Sequence, residues 1–254
     1  MTETAWNADI ILPASAHAEK TGTYTNTNRQ VQIGRAVVEP PKEVRQDWWI
    51  IQEIAKRMGL GWDYKSPKDI FDEMKLVMPS LDNISWERLE KDNHVTYPVK
   101  SELIPGEDII FTNGFPTSNN LAKIIPVNLI NPNDELNSDF PLILSTGRLL
   151  EHWHTGTMTR RALVLNELEP DPMIFMNKVD SNFYNLNLNK SVIIETRRGK
   201  ISIKIRHDDD LLPGMIFLPF CFKEAAANIL TNSDLDPIGK IPELKFSAAR
   251  VYQN

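Results

Sequence analysis

The 254-residue sequence has a single cysteine, Cys221. One thiol forms no internal disulfide, which fits a reducing compartment, and it falls short of the set of thiolates that holds an iron–sulfur cluster. No apolar run approaches the ~20 residues that cross a bilayer as a helix. Excess basic charge is missing too: the formal net charge is −6, which gives no general affinity for nucleic acid. A secretory leader is not indicated. Glu3 and Asp9 stand where basic residues belong, and Pro13 interrupts the short apolar stretch ADIILPASA. Internal repeats and low-complexity tracts are also absent. The expectation is a cytoplasmic protein with no membrane span and no nucleic-acid partner. What is present, 41% hydrophobic and 24% charged residues, is enough apolar material for one large domain or two smaller ones.

Four stretches organise the chain. Residues 1–38 read as strand and turn: NADIILPAS, the polar run EKTGTYTNTNRQ, then VQIGRAVV, closed by Pro40-Pro41. Residues 47–92 read as helices. Trp48, Ile51, Ile54, Ala55 and Met58 recur at helical spacing before Gly59, Ser66-Pro67 opens a second helix as N-cap and first position, and Ser85–Lys91 gives a short third. Residues 93–138 are rich in Pro, Asn and Gly and read as a linker with short strands, with a boundary near Ser138. Residues 139–254 read mostly as strands: PLILST, MIFMN, SVIIET, KISIKI, GMIFLPF and AARVY, with VDSNFYNL and KEAAANIL as helices. SVIIETRRGKISIKI predicts a hairpin turning at Arg198-Gly199, and strands spaced in this way predict a closed barrel.

The chemistry concentrates where the first of these strands ends. PLILST leads into Thr146-Gly147-Arg148, then His152-Trp153-His154-Thr155-Gly156-Thr157-Met158-Thr159-Arg160-Arg161. A glycine here lets backbone approach a ligand, and an arginine offers a fork of donors that matches phosphate oxygens. Two histidines, three threonines and two arginines within ten residues make a dense hydrogen-bonding loop suited to phosphates and heterocycle edges. The alternatives are a solvated basic loop, or metal ligation by His152 and His154. No set of carboxylates or thiolates accompanies the two histidines, so no metal ligand is assigned. Cys221 follows an apolar strand and reads as a packed core residue.

STGRLLEHWHTGTMTRR resembles the signature of the molybdopterin-dinucleotide-binding domain of formate dehydrogenase alpha subunits. LPFCFKEAAANILTNSDLDPIGKIPELKFSAARV is similar to the close of the same family, through Asn228, Leu230, Thr231, Asp236-Pro237 and Lys245. NADIILPASAHAEKTGTYTNTNRQVQ resembles the segment that ends the preceding cofactor domain, with Asn28-Arg29-Gln30 where the family usually has Glu-Arg-Arg. Glu19, Asn26 and Arg29 there read equally well as a hydrogen-bonded turn. The PFCF version looks most like the soluble NAD-dependent type. The resemblance implies a mixed α+β fold: a partial α/β segment and helical linker over 1–138, then a double-psi β-barrel over 139–254. It implies bis-molybdopterin guanine dinucleotide with molybdenum or tungsten, bound by Thr146, Gly147, Arg148, His152, His154, Thr155 and Thr157, with Asn228 and Lys245 closing the site. Lys245 has a second reading as a solvated surface lysine.

The family's metal ligand, a cysteine or selenocysteine followed by histidine, has no counterpart here. No residue of this chain is therefore assigned a catalytic role, and the chain is expected to be a fragment or split-gene product, inactive alone. Formate as substrate, iron–sulfur clusters, NAD, the remainder of the alpha subunit and electron-transfer subunits are what the resemblance implies for the whole enzyme. Alternatives are an assimilatory nitrate reductase, whose loop is often closer to QWHTMTRTG, and a non-catalytic cofactor-binding module.

Overall fold

The computed structural model describes residues 1–253, which divide into two compact units, Met1–Ile125 and a second from Pro126 onward. In the first unit a three-stranded antiparallel sheet, β1 (Gly22–Thr25), β2 (Gln30–Gly34) and β3 (His94–Thr96), packs with three helices. These are α1 (Asp47–Arg57), α2 (Pro67–Val77) and α3 (Trp86–Asp92). Ser66 caps α2 as expected: its hydroxyl accepts from the Asp69 amide while Asp69 accepts from the Ser66 amide, so two end donors are satisfied reciprocally. Phe71, Ile84, Trp86, Leu89, Val31 and Val95 form this unit's core.

One sequence expectation changes here. ADIILP is not a strand; the one isolated bridge nearby, Ala14 to Arg45, lies just after it, and Ile10, Ile11 and Leu12 stand exposed. The apolar stripe of α1 is only partly covered. Ala55 is buried, but Ile51, Ile54 and Met58 are exposed. Glu19, Asn26 and Arg29 form a hydrogen-bonded turn. Glu19 accepts from the Ala16 amide, Asn26 accepts from the Gln30 amide, and the Arg29 guanidinium donates to the carbonyls of Tyr97 and Asp108.

The second unit is a closed six-stranded barrel. Its elements are β4 (Leu142–Gly147), α4 (Leu163–Leu168), β5 (Met173–Met176), α5 (Lys178–Phe183), β6 (Val192–Thr196), β7 (Lys200–His207), β8 (Met215–Pro219) and β9 (Ser247–Tyr252). Around the barrel the strand order is β4-β8-β5-β7-β6-β9. Pairings β4–β8 and β5–β7 are parallel and the rest antiparallel. Along β5 and β6, and through most of β4, β7 and β8, every second residue is buried, and Leu142, Leu144, Ile174, Val192, Ile194 and Ile216 fill the interior. The expected β6–β7 hairpin forms, with the Thr196 amide donating to the Gly199 carbonyl.

The segment before β4 is strapped to the barrel wall. Asp134 pairs with Arg197 and, at 2.7 Å, with Arg198, and accepts from the Ala248 amide at 2.8 Å. Phe140 lies near two guanidinium groups, those of Arg197 and Arg250, with centroid distances of 5.0 and 5.2 Å. KEAAANIL departs from expectation. Two 3-10 turns, Lys223–Ala225 and Ala227–Ile229, replace a helix because Ala226 is extended between them. Ala225, Ala227 and Leu230 pack into the barrel core, and the Thr196 hydroxyl takes the Leu230 carbonyl, so tertiary contacts outweigh the helix propensity of the alanines.

A candidate cofactor cleft at the ends of two parallel strands

Parallel pairing creates the site. β4 and β8 run side by side, with Gly147 opposite Pro219, so both leave the barrel at the same end. The Phe220 amide continues the ladder by donating to the Gly147 carbonyl at 3.1 Å. The segments that follow, 148–161 and 220–231, therefore lie next to one another and wall a cleft of about 460 Å³. Thr146, His154, Thr155 and Asn228 line it, with Phe220, Phe222 and Lys223. Four residues expected from the sequence thus meet in one cavity, although they come from positions more than eighty apart in the chain.

The other expected residues sit around it in different ways. His152 is buried and organises the loop. Its Nε2–H donates to the Glu169 carbonyl at 2.7 Å, so Nδ1 accepts from the Thr159 hydroxyl, which also accepts from the Trp153 amide. Both ring nitrogens are used within the protein, so His152 shapes the site and leaves the cleft to His154. Glu169 in turn pairs with Arg206 on β7 at 2.7 Å, which ties the loop to the barrel wall. Gly147 also faces a neighbouring side chain. A Cβ there would lie 2.4 and 2.6 Å from ring carbons of Phe217, so the glycine makes room for a neighbouring side chain.

Lys245 donates to the Thr146 carbonyl, and the Thr146 hydroxyl donates to the Leu244 carbonyl at 2.7 Å. These bonds hold the lysine ammonium at the end of β4. Arg148 is exposed and its guanidinium stacks 5.2 Å from the Trp153 ring centroid. Thr157 is exposed, with its hydroxyl 3.4 Å from that of Thr155 and its carbonyl accepting from Arg161. Positive charge is therefore concentrated about this end of the barrel, through Arg148, Lys223 and Lys245.

Sequence reasoning did not single out Phe220, Phe222, Lys223 or Glu224. Phe220 meets His154 edge-on at 5.7 Å, and Phe222, fully buried, meets His152 edge-on at 5.6 Å. Their signal was present in the PFCF run beside the cysteine, but partners this distant leave no local pattern. Cys221 is buried in the same stretch, and burial pushes its thiol up to about 11, as befits a packed residue and not a ligand or nucleophile. Among the described residues no group of three or more His, Cys, Asp or Glu side chains converges as a metal site would require, and no helix is long and apolar enough to cross a membrane.

Comparison with known proteins agrees with this geometry. Residues 142–248 match the family described as Molydopterin dinucleotide binding domain, and residues 1–57 match Molybdopterin oxidoreductase. The chain is 41% identical over 253 residues to the F420-dependent formate dehydrogenase subunit alpha of Methanocaldococcus jannaschii, and 37% identical over 254 residues to the F420-dependent formate dehydrogenase 2 subunit alpha of Methanococcus maripaludis. Each match covers 99% of this chain, which spans 37% of the length of either relative. Acetylene hydratase from Pelobacter acetylenicus has a similar fold, with a TM-score of 0.71 at 20% identity over 99% of this chain and 39% of that one.

Proposed function

We propose that this chain is the C-terminal part of a formate dehydrogenase catalytic subunit of the molybdopterin oxidoreductase family. Its barrel grips a guanine dinucleotide arm of a bis-molybdopterin cofactor carrying molybdenum or tungsten. The observation that carries this reading is the cleft where β4 and β8 end together. Its volume suits a nucleotide-sized ligand. Lys223, Lys245 and Arg148 suit its phosphates, and the Asn228 amide offers both a donor and an acceptor to a heterocycle edge. Phe220 and His154 offer ring surfaces. When bound, the group supplies two-electron redox chemistry through its metal. The residues of this chain bind and orient it, and none of them is assigned a step in formate oxidation.

The functional division we propose is 1–138 as the end of the α/β domain with its linker and 139–254 as the dinucleotide-binding barrel. Exposed Ile10, Ile11 and Leu12, with the open stripe of α1, are the surfaces the remainder of the subunit would cover. Formate as substrate, iron–sulfur clusters and electron-transfer subunits belong to that larger cytoplasmic assembly. For the electron acceptor, likeness to two F420-dependent formate dehydrogenase subunits favours F420 over the NAD that the PFCF run suggested.

The test is made on the whole catalytic subunit with its electron-transfer partners. Arg148→Ala should lower retained metal and guanine nucleotide, while Lys100→Ala leaves them unchanged. Equal occupancy would remove Arg148 from the site. Formate-dependent reduction of F420 and of NAD, followed separately, decides the acceptor, and reduction of NAD alone would overturn the F420 proposal.

A further inference from the structure

The two walls of the cleft come closest to backbone contact at Gly156. Gly156 adopts φ +76°, and a Cβ there would lie 2.7 Å from the Cys221 carbonyl oxygen and 2.8 Å from the Arg160 Cγ. Only glycine lets the 148–161 loop pass this close to the backbone of the other wall. At the same contact Arg160 turns Nη1 onto both carboxylate oxygens of Glu224, at 2.9 and 2.7 Å. The Arg160 guanidinium lies 4.7 Å from the centroid of Phe222, the ring that also receives the edge of His152. Arg160 is therefore held by a carboxylate and an aromatic face, both on the opposite wall. His154 and Thr155 immediately precede Gly156 on one wall, and Asn228 follows Glu224 by four positions on the other.

We infer that the Arg160–Glu224 pair, seated on Phe222, is a clasp that sets the spacing of the cleft walls and makes both residues positioning residues for the ligand held between His154, Thr155 and Asn228. The inference rests on the reading of this cleft as the dinucleotide site. Neither side chain of the pair needs to touch the ligand. Their part is to hold in register two loops that otherwise meet through ring contacts, His154 with Phe220 and His152 with Phe222, so that groups from both meet one molecule without reordering on binding. The carboxylate is suited to a permanent clasp. Burial alone would raise the Glu224 pKa, but the hydrogen bond from Arg160, the backbone amide of Glu224 and the charges of Arg160 and Lys223 together outweigh it and hold the group below the usual carboxylate range, so the pair stays charged through neutral pH.

The test uses the 254-residue chain and GDP, which carries the guanosine and the diphosphate of the proposed ligand. Dissociation constants are measured by titration calorimetry, and thermal unfolding is followed in parallel. Glu224→Gln should weaken GDP binding about fivefold to tenfold while the melting temperature moves by no more than about 2 °C, because Glu224 is exposed enough that its loss leaves the barrel intact. Exchanging the charges, Arg160→Glu with Glu224→Arg, should recover most of the affinity that either single change loses. Unchanged GDP affinity in Glu224→Gln overturns the clasp, as does a charge exchange that binds no better than the single variants. A large fall in melting temperature in Glu224→Gln would make the pair a structural support and overturn its positioning role. Failure of the unsubstituted chain to bind GDP is a different result: it removes the cleft reading, and the clasp falls with it.

Discussion

Removing the carboxylate of Asp134 should loosen the barrel more than the loss of a surface charge would. This side chain is 5% exposed, whereas its partners Arg197 and Arg198 are 35% and 25% exposed. In Asp134→Ala the Ala248 amide loses its acceptor inside the barrel wall, which costs about 1–3 kcal/mol for a buried donor left unpaired. The two guanidinium groups remain near water and keep the carbonyls of Glu135 and Leu230, so their lost pairing adds only about 1 kcal/mol. The sum is about 2–4 kcal/mol, or a fall in melting temperature of about 8–16 °C for a domain of this size. Urea unfolding of the polypeptide from Pro126 onward, followed by near-ultraviolet circular dichroism, measures it. The pH dependence has a definite sign. Burial raises the Asp134 pKa, but Arg198, the Ala248 amide and Arg197 outweigh it and bring the folded-state value below 3.8. A depressed folded pKa means that the charge-dependent stability is fully present above the unfolded value and is lost as pH falls through the folded one. The gap between the native protein and Asp134→Asn should therefore be constant near neutrality and shrink only below about pH 4. A cost for Asp134→Ala under about 0.5 kcal/mol, typical of an unremarkable surface change, would refute the strap, as would a gap that widens on acidification.

Two further outcomes follow from packing. Gly147→Ala should destabilise the barrel by about 1–3 kcal/mol, since the new methyl meets the Phe217 ring; Gly147→Ala with Phe217→Leu should recover part of that loss in the same urea assay. Cys221 should resist a thiol-specific reagent in the folded chain and release one equivalent on denaturation, because it is buried and its thiolate is disfavoured; rapid labelling of the native chain would contradict that burial.

The barrel was legible because short apolar runs such as PLILST, MIFMN and GMIFLPF recur between turn residues, because KISIKI alternates apolar and polar residues, and because Arg198-Gly199 marks the hairpin turn. The helix ends at Ser66 and Ser85 were equally local, each set by a hydroxyl within three residues of the amide it caps. What could not be read was long-range. Parallel pairing of β4 with β8, strands some seventy positions apart, is what brings Phe220 and Phe222 beside His154 and His152, and neither segment shows it alone. The same applies to Asp134, which reads as one acid in a polar linker until the barrel places Arg197, Arg198 and the Ala248 amide around it. ADIILP shows the opposite case. Its composition is that of a buried strand, but a strand forms only beside another, and none pairs with it among the described residues. Thr146, His154, Thr155 and Asn228, grouped from the sequence, line one cavity. The part played by His152 was not visible, because its partners Thr159 and Glu169 differ from a solvated loop only once the loop is folded.

Amide hydrogen exchange of the chain with and without saturating GDP addresses the cleft most directly, because it reports where a ligand suppresses local opening. Exchange should slow within residues 146–157 and 220–231, the two segments that leave the barrel together, and stay unchanged along the β6–β7 hairpin and along the groove lined by Tyr97, Phe111 and Phe115 in the first unit. Slowing confined to that groove, or no change in either wall of the cleft at saturation, would contradict the assignment of this site to a guanine dinucleotide.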